Sequence, residues 1–192
     1  MKKLLGLALM AVMAGGALAD APELGMFFSA TAFDQEHTNF NPAGAPFNAF
    51  IVFFPMGNVE LVGGYEVGIT VPASLFVLGA SGPNGWTNFG SSVNHLAGYG
   101  FPLPAPEEGV VLCTLQVLYG AANPAVIEYG PANPQSVPGH DGPVIANGAN
   151  PDDLISCWLV TGEINGVVAT IFGGGVIAVE NHTWTGVKSL FE

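Results

Sequence analysis

The stretch Gly64-Tyr65-Glu66-Val67-Gly68-Ile69-Thr70-Val71 decides the fold class. On an extended chain, successive side chains point to opposite sides. Tyr65, Val67, Ile69 and Val71 therefore share one face, and Glu66, Gly68 and Thr70 share the other. A strand with one apolar and one solvated face belongs to an antiparallel sheet packed on a core. Val110–Tyr119 repeats the pattern, with Val111, Cys113, Leu115, Val117 and Tyr119 on one side. Residues 47–54 form a denser aromatic and β-branched run between Pro46 and Pro55, as expected of a strand buried on both faces.

Outward from these strands the chain is punctuated by 27 Gly and 15 Pro among its 192 residues. Residues 34–46, 79–92 and 130–151 are turn-rich loops, and Gly173-Gly174-Gly175 separates two further strand-like segments, 164–172 and 176–180. About nine short strands at this spacing predict an all-β protein, an antiparallel two-sheet β-sandwich. The ending differs. Thr183 can cap a short helix that puts Trp184, Val187 and Phe191 on one face, although Gly186 weakens it and a terminal strand is the alternative.

Composition narrows the function. The chain is 49% hydrophobic and 9% charged, against roughly 25% charged in an average soluble domain. It contains no Arg, and its three Lys are Lys2, Lys3 and Lys188. Phosphate recognition needs clusters of basic side chains, so nucleic acid is excluded as a partner and anionic lipid is disfavoured.

Residues 1–19 read as a secretory signal: Lys2-Lys3, an apolar run, then Ala17-Leu18-Ala19 as a cleavage site. The mature chain would start at Asp20 and keep one base against fifteen acids. No later segment is long and apolar enough to span a bilayer as a helix, so no integral membrane segment is expected after processing. The expected layout is a signal at 1–19, a sandwich domain at 20–180 and a tail at 181–192. The expected location is outside the cytoplasm, secreted, periplasmic or at the cell surface.

The only two cysteines, Cys113 and Cys157, lie in strand-like segments. In an oxidising compartment they are expected to form a disulfide, closing a loop worth about 3–4 kcal/mol. Two buried free thiols are the alternative. Neither has a neighbouring His or a CxxC partner for metal or catalytic work.

Two passages carry a family resemblance. Gly64 to Val71 runs on into Pro72-Ala73-Ser74-Leu75-Phe76-Val77-Leu78-Gly79, and Glu108-Gly109-Val110-Val111-Leu112-Cys113-Thr114-Leu115-Gln116-Val117 follows later. Over residues 47–120 the chain resembles the cohesin-like members of the bacterial carbohydrate-binding and cohesin β-sandwich superfamily. That resemblance implies an immunoglobulin-like or cohesin-like jelly roll that binds a protein or a glycan rather than a catalyst. The ending from Thr183 to Phe191 looks like the tail of small secreted bacterial proteins and implies no function.

Candidate chemistry is sparse. His37, His95, His140 and His182 are scattered without the short spacings of a zinc site. Asp141, Asp152 and Asp153 could seed a calcium site, but no calcium loop motif is present, and turn-making is the default for such residues. Glu107-Glu108 are adjacent on a turn, which does not give the controlled separation of two hydrolytic carboxylates. Nucleophile elbows and phosphate loops are absent. Trp86 lies in a polar loop with Asn84 and Asn88, and an indole flanked by amides suits sugar stacking, although packing over the end of a sandwich is the ordinary role of such a Trp. The expectation is a non-catalytic extracellular module without cofactor or metal. Its partner would be an extracellular protein or a neutral glycan held near Trp86, Asn84 and Asn88; a secreted hydrolase is the weakest reading.

Overall fold

The computed structural model describes residues 21–33, 44–57, 59–121 and 123–171. The expected signal, the C-terminal helix around Trp184, the segment 176–180, His37 and His182 lie outside the described residues.

The described chain is a two-sheet β-sandwich. Twelve strands follow in order: β1 (Glu23–Phe27), β2 (Pro46–Phe54), β3 (Leu61–Thr70), β4 (Leu75–Ser81), β5 (Thr87–Asn88), β6 (Asn94–Pro104), β7 (Val110–Tyr119), β8 (Ala125–Gly130), β9 (Val144–Asn147), β10 (Leu154–Ser156), β11 (Trp158–Leu159) and β12 (Gly166–Ile171). One sheet has the order β11-β1-β2-β7-β4. The other runs β10-β9-β3-β6-β5, with β12 and β8 joined to the far half of β3. All pairings are antiparallel except that of β1 with β11.

There are more strands than the roughly nine expected from turn spacing. The additional ones are short pieces inside the loops. β5, β9, β10 and β11 span two to four residues each, too few for an alternation to show.

The core follows the alternation. Tyr65, Val67 and Ile69 from β3 face Cys113, Leu115, Val117 and Tyr119 from β7, with Ala49, Ile51 and Phe53 of β2 beside them. A shift of register against β7 falls between Ile51 and Val52. The extra residue is Leu112 of β7, so Val111 turns to the outer face instead of sharing the inner face of Cys113 as strict alternation predicted, and there it packs with Val52, Phe27 and Val160. Ile51, Val52 and Phe53 are buried consecutively because both faces of β2 are covered, Ile51 and Phe53 by the main core and Val52 by the smaller cluster. Rings of Phe27, Phe33 and Phe54 close that cluster edge to face, with centroids 5.5–5.8 Å apart.

A disulfide between Cys113 and Cys157 is not formed. Both thiols are free and buried. Cys113 does face inward, but it sits against Tyr65, Tyr99 and Tyr129 in the middle of the sandwich. Cys157 lies between β10 and β11 with its Sγ 3.8 Å from the Ile155 carbonyl. Facing inward sets the direction of a side chain and leaves its position along the core open. Desolvation raises both thiols, Cys113 to about 11 and Cys157 further, so neither is a reactive thiolate.

Candidate functional site

The polar loop that carries Trp86 begins with a tight turn. Trp86 N–H donates to the Pro83 carbonyl at 2.9 Å, and Asn84 and Gly85 both have positive φ, 52° and 71°. Asn-Gly in this position is the expected chemistry of a type I′ turn. The turn folds the indole back onto the sandwich. Its Nε1 donates to the Tyr65 hydroxyl at 3.2 Å, and its ring lies 5.9 Å from that of His95. A Cβ at Gly82 would come within 2.5 Å of the indole Cγ, so one ring face is covered by backbone.

The two amides expected beside Trp86 are engaged within the chain. Asn84 Nδ2 donates to the Pro102 carbonyl. Asn88 Oδ1 accepts from the backbone of Gly90 and Leu96, and its Nδ2 donates to Ser91. The three residues are brought into one region, with Trp86 partly buried against the core.

Beneath Trp86 is a buried polar chain. Tyr65 Oη lies 2.8 Å from His95 Nδ1. An indole N–H can only donate, so the hydroxyl accepts from Trp86 and shares a second hydrogen bond with His95 Nδ1. The other ring nitrogen, Nε2, is buried and has no hydrogen-bond partner among the described residues. Burial lowers the His95 pKa to about 4, opposed in part by the Ser92 carbonyl. Without access to solvent, this group is a structural tie.

The remaining sequence candidates make turns. Asp153 accepts from Asn147 Nδ2 at 3.1 Å in the β9–β10 connection. His140 contacts the Pro143 carbonyl. Glu107 and Glu108 are exposed on the Pro106–Gly109 turn. Among the described residues no group of three His, Cys, Asp or Glu could hold a metal ion.

An open surface of mostly apolar character lies elsewhere, on the outer face of the larger sheet. Strand register aligns Leu154, Ala146, Gly64, Gly98 and Thr87 in one row across β10, β9, β3, β6 and β5. The next row aligns Ser156, Val144, Glu66 and Leu96. Small residues in the middle of the first row leave a trough of about 270 Å³, walled by Leu154, Leu96 and Phe89. Phe89 is 79% exposed. Glu66 is the one charged residue in the trough, and Ser136 engages its carboxylate through both N–H and Oγ–H. The sequence reading missed this site. Gly64, Gly98 and Ala146 are unremarkable separately, and only the register brings them together.

The two glycines differ. A Cβ at Gly64 would stand 2.5 Å from the Ala97 carbonyl oxygen, whereas one at Gly98 would meet nothing closer than 3.9 Å. Gly64 is required by the approach of neighbouring backbone, and Gly98 only leaves space.

The arrangement defines an antiparallel β-sandwich with an apolar trough on one sheet. No family model matches the chain, and no curated protein matches it. Among solved structures, the chain is loosely similar in fold to a non-cellulosomal cohesin from the hyperthermophilic archaeon Archaeoglobus fulgidus. The identity is 12% and the TM-score 0.44, over 79% of this chain and 89% of that one.

Proposed function

We propose that the protein is an exported, non-catalytic module that holds a protein partner on the outer face of its larger sheet. The trough between Leu154 and Phe89 carries this reading. Its volume of about 270 Å³ is below the usual range of roughly 300–1,000 Å³ for small-molecule pockets and suits side chains projecting from a partner's surface. Its walls are Leu and Phe, and its floor is Gly and Ala, so it offers dispersion and burial rather than hydroxyl recognition. Its one carboxylate is already satisfied by Ser136.

Gly98→Leu tests the reading, because a side chain there fills the trough without meeting backbone. Immobilised wild type should retain a defined protein from the extracellular fraction of its source cells, and the folded Gly98→Leu variant should lose it. Equal retention by both would refute the assignment to this face.

A neutral glycan is the second reading, favoured by the rings of Phe89 and Phe101, which are 79% and 76% exposed. Retention on neutral polysaccharides, lost in Phe89→Ala or Phe101→Ala, would select it.

A further inference from the structure

We infer that two copies of this chain associate through β4, joining their five-stranded sheets edge to edge. β4 ends its sheet, and among the described residues only β7 pairs with it. Its other edge is a row of backbone donors and acceptors seven residues long.

Edge strands in soluble proteins are commonly blunted by Lys, Pro or inward charges. None is present here. Residues 67–106 contain no Asp, Glu, Lys or Arg at all, and β4 contains no Pro. The strand has a bulge, another common guard. The residue in that bulge is Leu78, between the pairs Val77↔Val117 and Gly79↔Gln116. Leu78 stands 52% exposed beside Phe76 at 54%. Phe76 aligns with Leu118 of β7 and Pro46 of β2, which continues the apolar strip across the outer face.

Charge selects the occupant. The uncharged run from 67 to 106 covers β4, β5 and β6, and only residues 82–86 link β4 to β5. Since β4 and β5 each end a sheet, one lateral side of the sandwich carries no Asp, Glu, Lys or Arg among the described residues of β4, β5, β6 and β7. Acidic residues Asp141, Asp152, Asp153 and Glu163 belong to the segments around β9, β10 and β11 on the other side. A cationic partner would be drawn to those acids. A second copy, with the same strong negative charge, is repelled there and meets no like charge on the described residues of β4. Antiparallel pairing of a strand with its own copy is self-complementary, as a two-fold interface requires. It also brings Phe76 and Leu78 of both copies onto one face.

The experiment is sedimentation velocity on residues 20–192 across a concentration series at low and high NaCl. A reversible dimer is expected. Its dissociation constant should fall with salt, because screening weakens the repulsion between two acidic copies. Phe76→Lys and Leu78→Lys change exposed side chains, so the monomer should fold, as checked by circular dichroism, and each should weaken the dimer by about tenfold or more. Gly98→Leu, which alters the trough, should leave the dimer intact and so separates this interface from the partner face. A wild type that stays monomeric at every concentration and salt would overturn the inference. So would a dimer that both Lys variants leave unchanged.

Discussion

Tyr65 Oη and His95 Nδ1 are 2.8 Å apart in the centre of the larger sheet. Tyr65 on β3 aligns with Ala97 on β6, and His95 with Val67, so the pair spans adjacent strands on the inner face. Trp86, from the loop above, donates to the same hydroxyl. One oxygen thus joins two strands and a loop.

Tyr65→Phe should therefore be costly. It leaves the buried His95 Nδ1 without its partner, which costs about 1–3 kcal/mol, and removes the partner of the partly buried Trp86 Nε1 as well. Tyr129 is the control: its hydroxyl is fully buried with no hydrogen-bond partner among the described residues. Tyr129→Phe should be neutral or slightly stabilising. Urea unfolding of the two variants checks the contrast, and equal losses would contradict the hydrogen-bond assignment.

Stability should fall on mild acidification. The His95 pKa is lowered to about 4 in the folded protein because burial disfavours its charged form. The unfolded chain binds this proton below about 6.5, so between there and 4 the unfolded state carries more protons. Stability then rises with pH across that window and loses up to about 3 kcal/mol as pH falls through it. Unfolding midpoints measured from pH 7 to 4 should show this slope. His95→Gln, which cannot titrate, should flatten it.

Gly64→Ala and Gly98→Ala should separate sharply. The first places a methyl 2.5 Å from a backbone oxygen and should cost about 1–3 kcal/mol. The second has open space and should leave the melting temperature nearly unchanged. Thermal unfolding distinguishes them, and an equal loss in both would count against the close approach at Gly64.

Both cysteines should label as free thiols, two per chain, once the protein is unfolded without reductant. In the native state neither should react at an appreciable rate, since both are buried and their thiolates are disfavoured. Adding reductant should leave thermal stability unchanged. Labelling that appears only after reduction would restore the bridge.

The alternation was legible from Tyr65 to Ile69 in β3 and from Cys113 to Tyr119 in β7, whereas Val111 falls on the opposite face from the one expected because the extra residue Leu112 interrupts the period. β2 was legible as a run buried on both faces, while the extra residue Leu112 opposite it in β7 was not, because a bulge depends on the partner strand. Trp86 could be placed in its loop, but the partner of its indole lies 21 positions away on β3. The trough depends on the register of three strands at once. Residues that interact along the chain leave a pattern in it, whereas alignment across a sheet does not.

The parallel pairing of β1 with β11 joins the two ends of the described chain and must form late. β1 is the first described strand to be synthesised, and its partner Trp158–Leu159 is the eleventh of twelve. Closing so long a loop precedes any reward from the contact, and β-proteins with such distant pairings fold on the order of milliseconds to seconds. Until residue 159 has left the ribosome, the edge of β1 at Glu23 and Leu24 lacks this partner and stays open to strands of other chains. The interval of greatest aggregation risk is therefore during synthesis, and a chain cut short before Trp158 would never leave it.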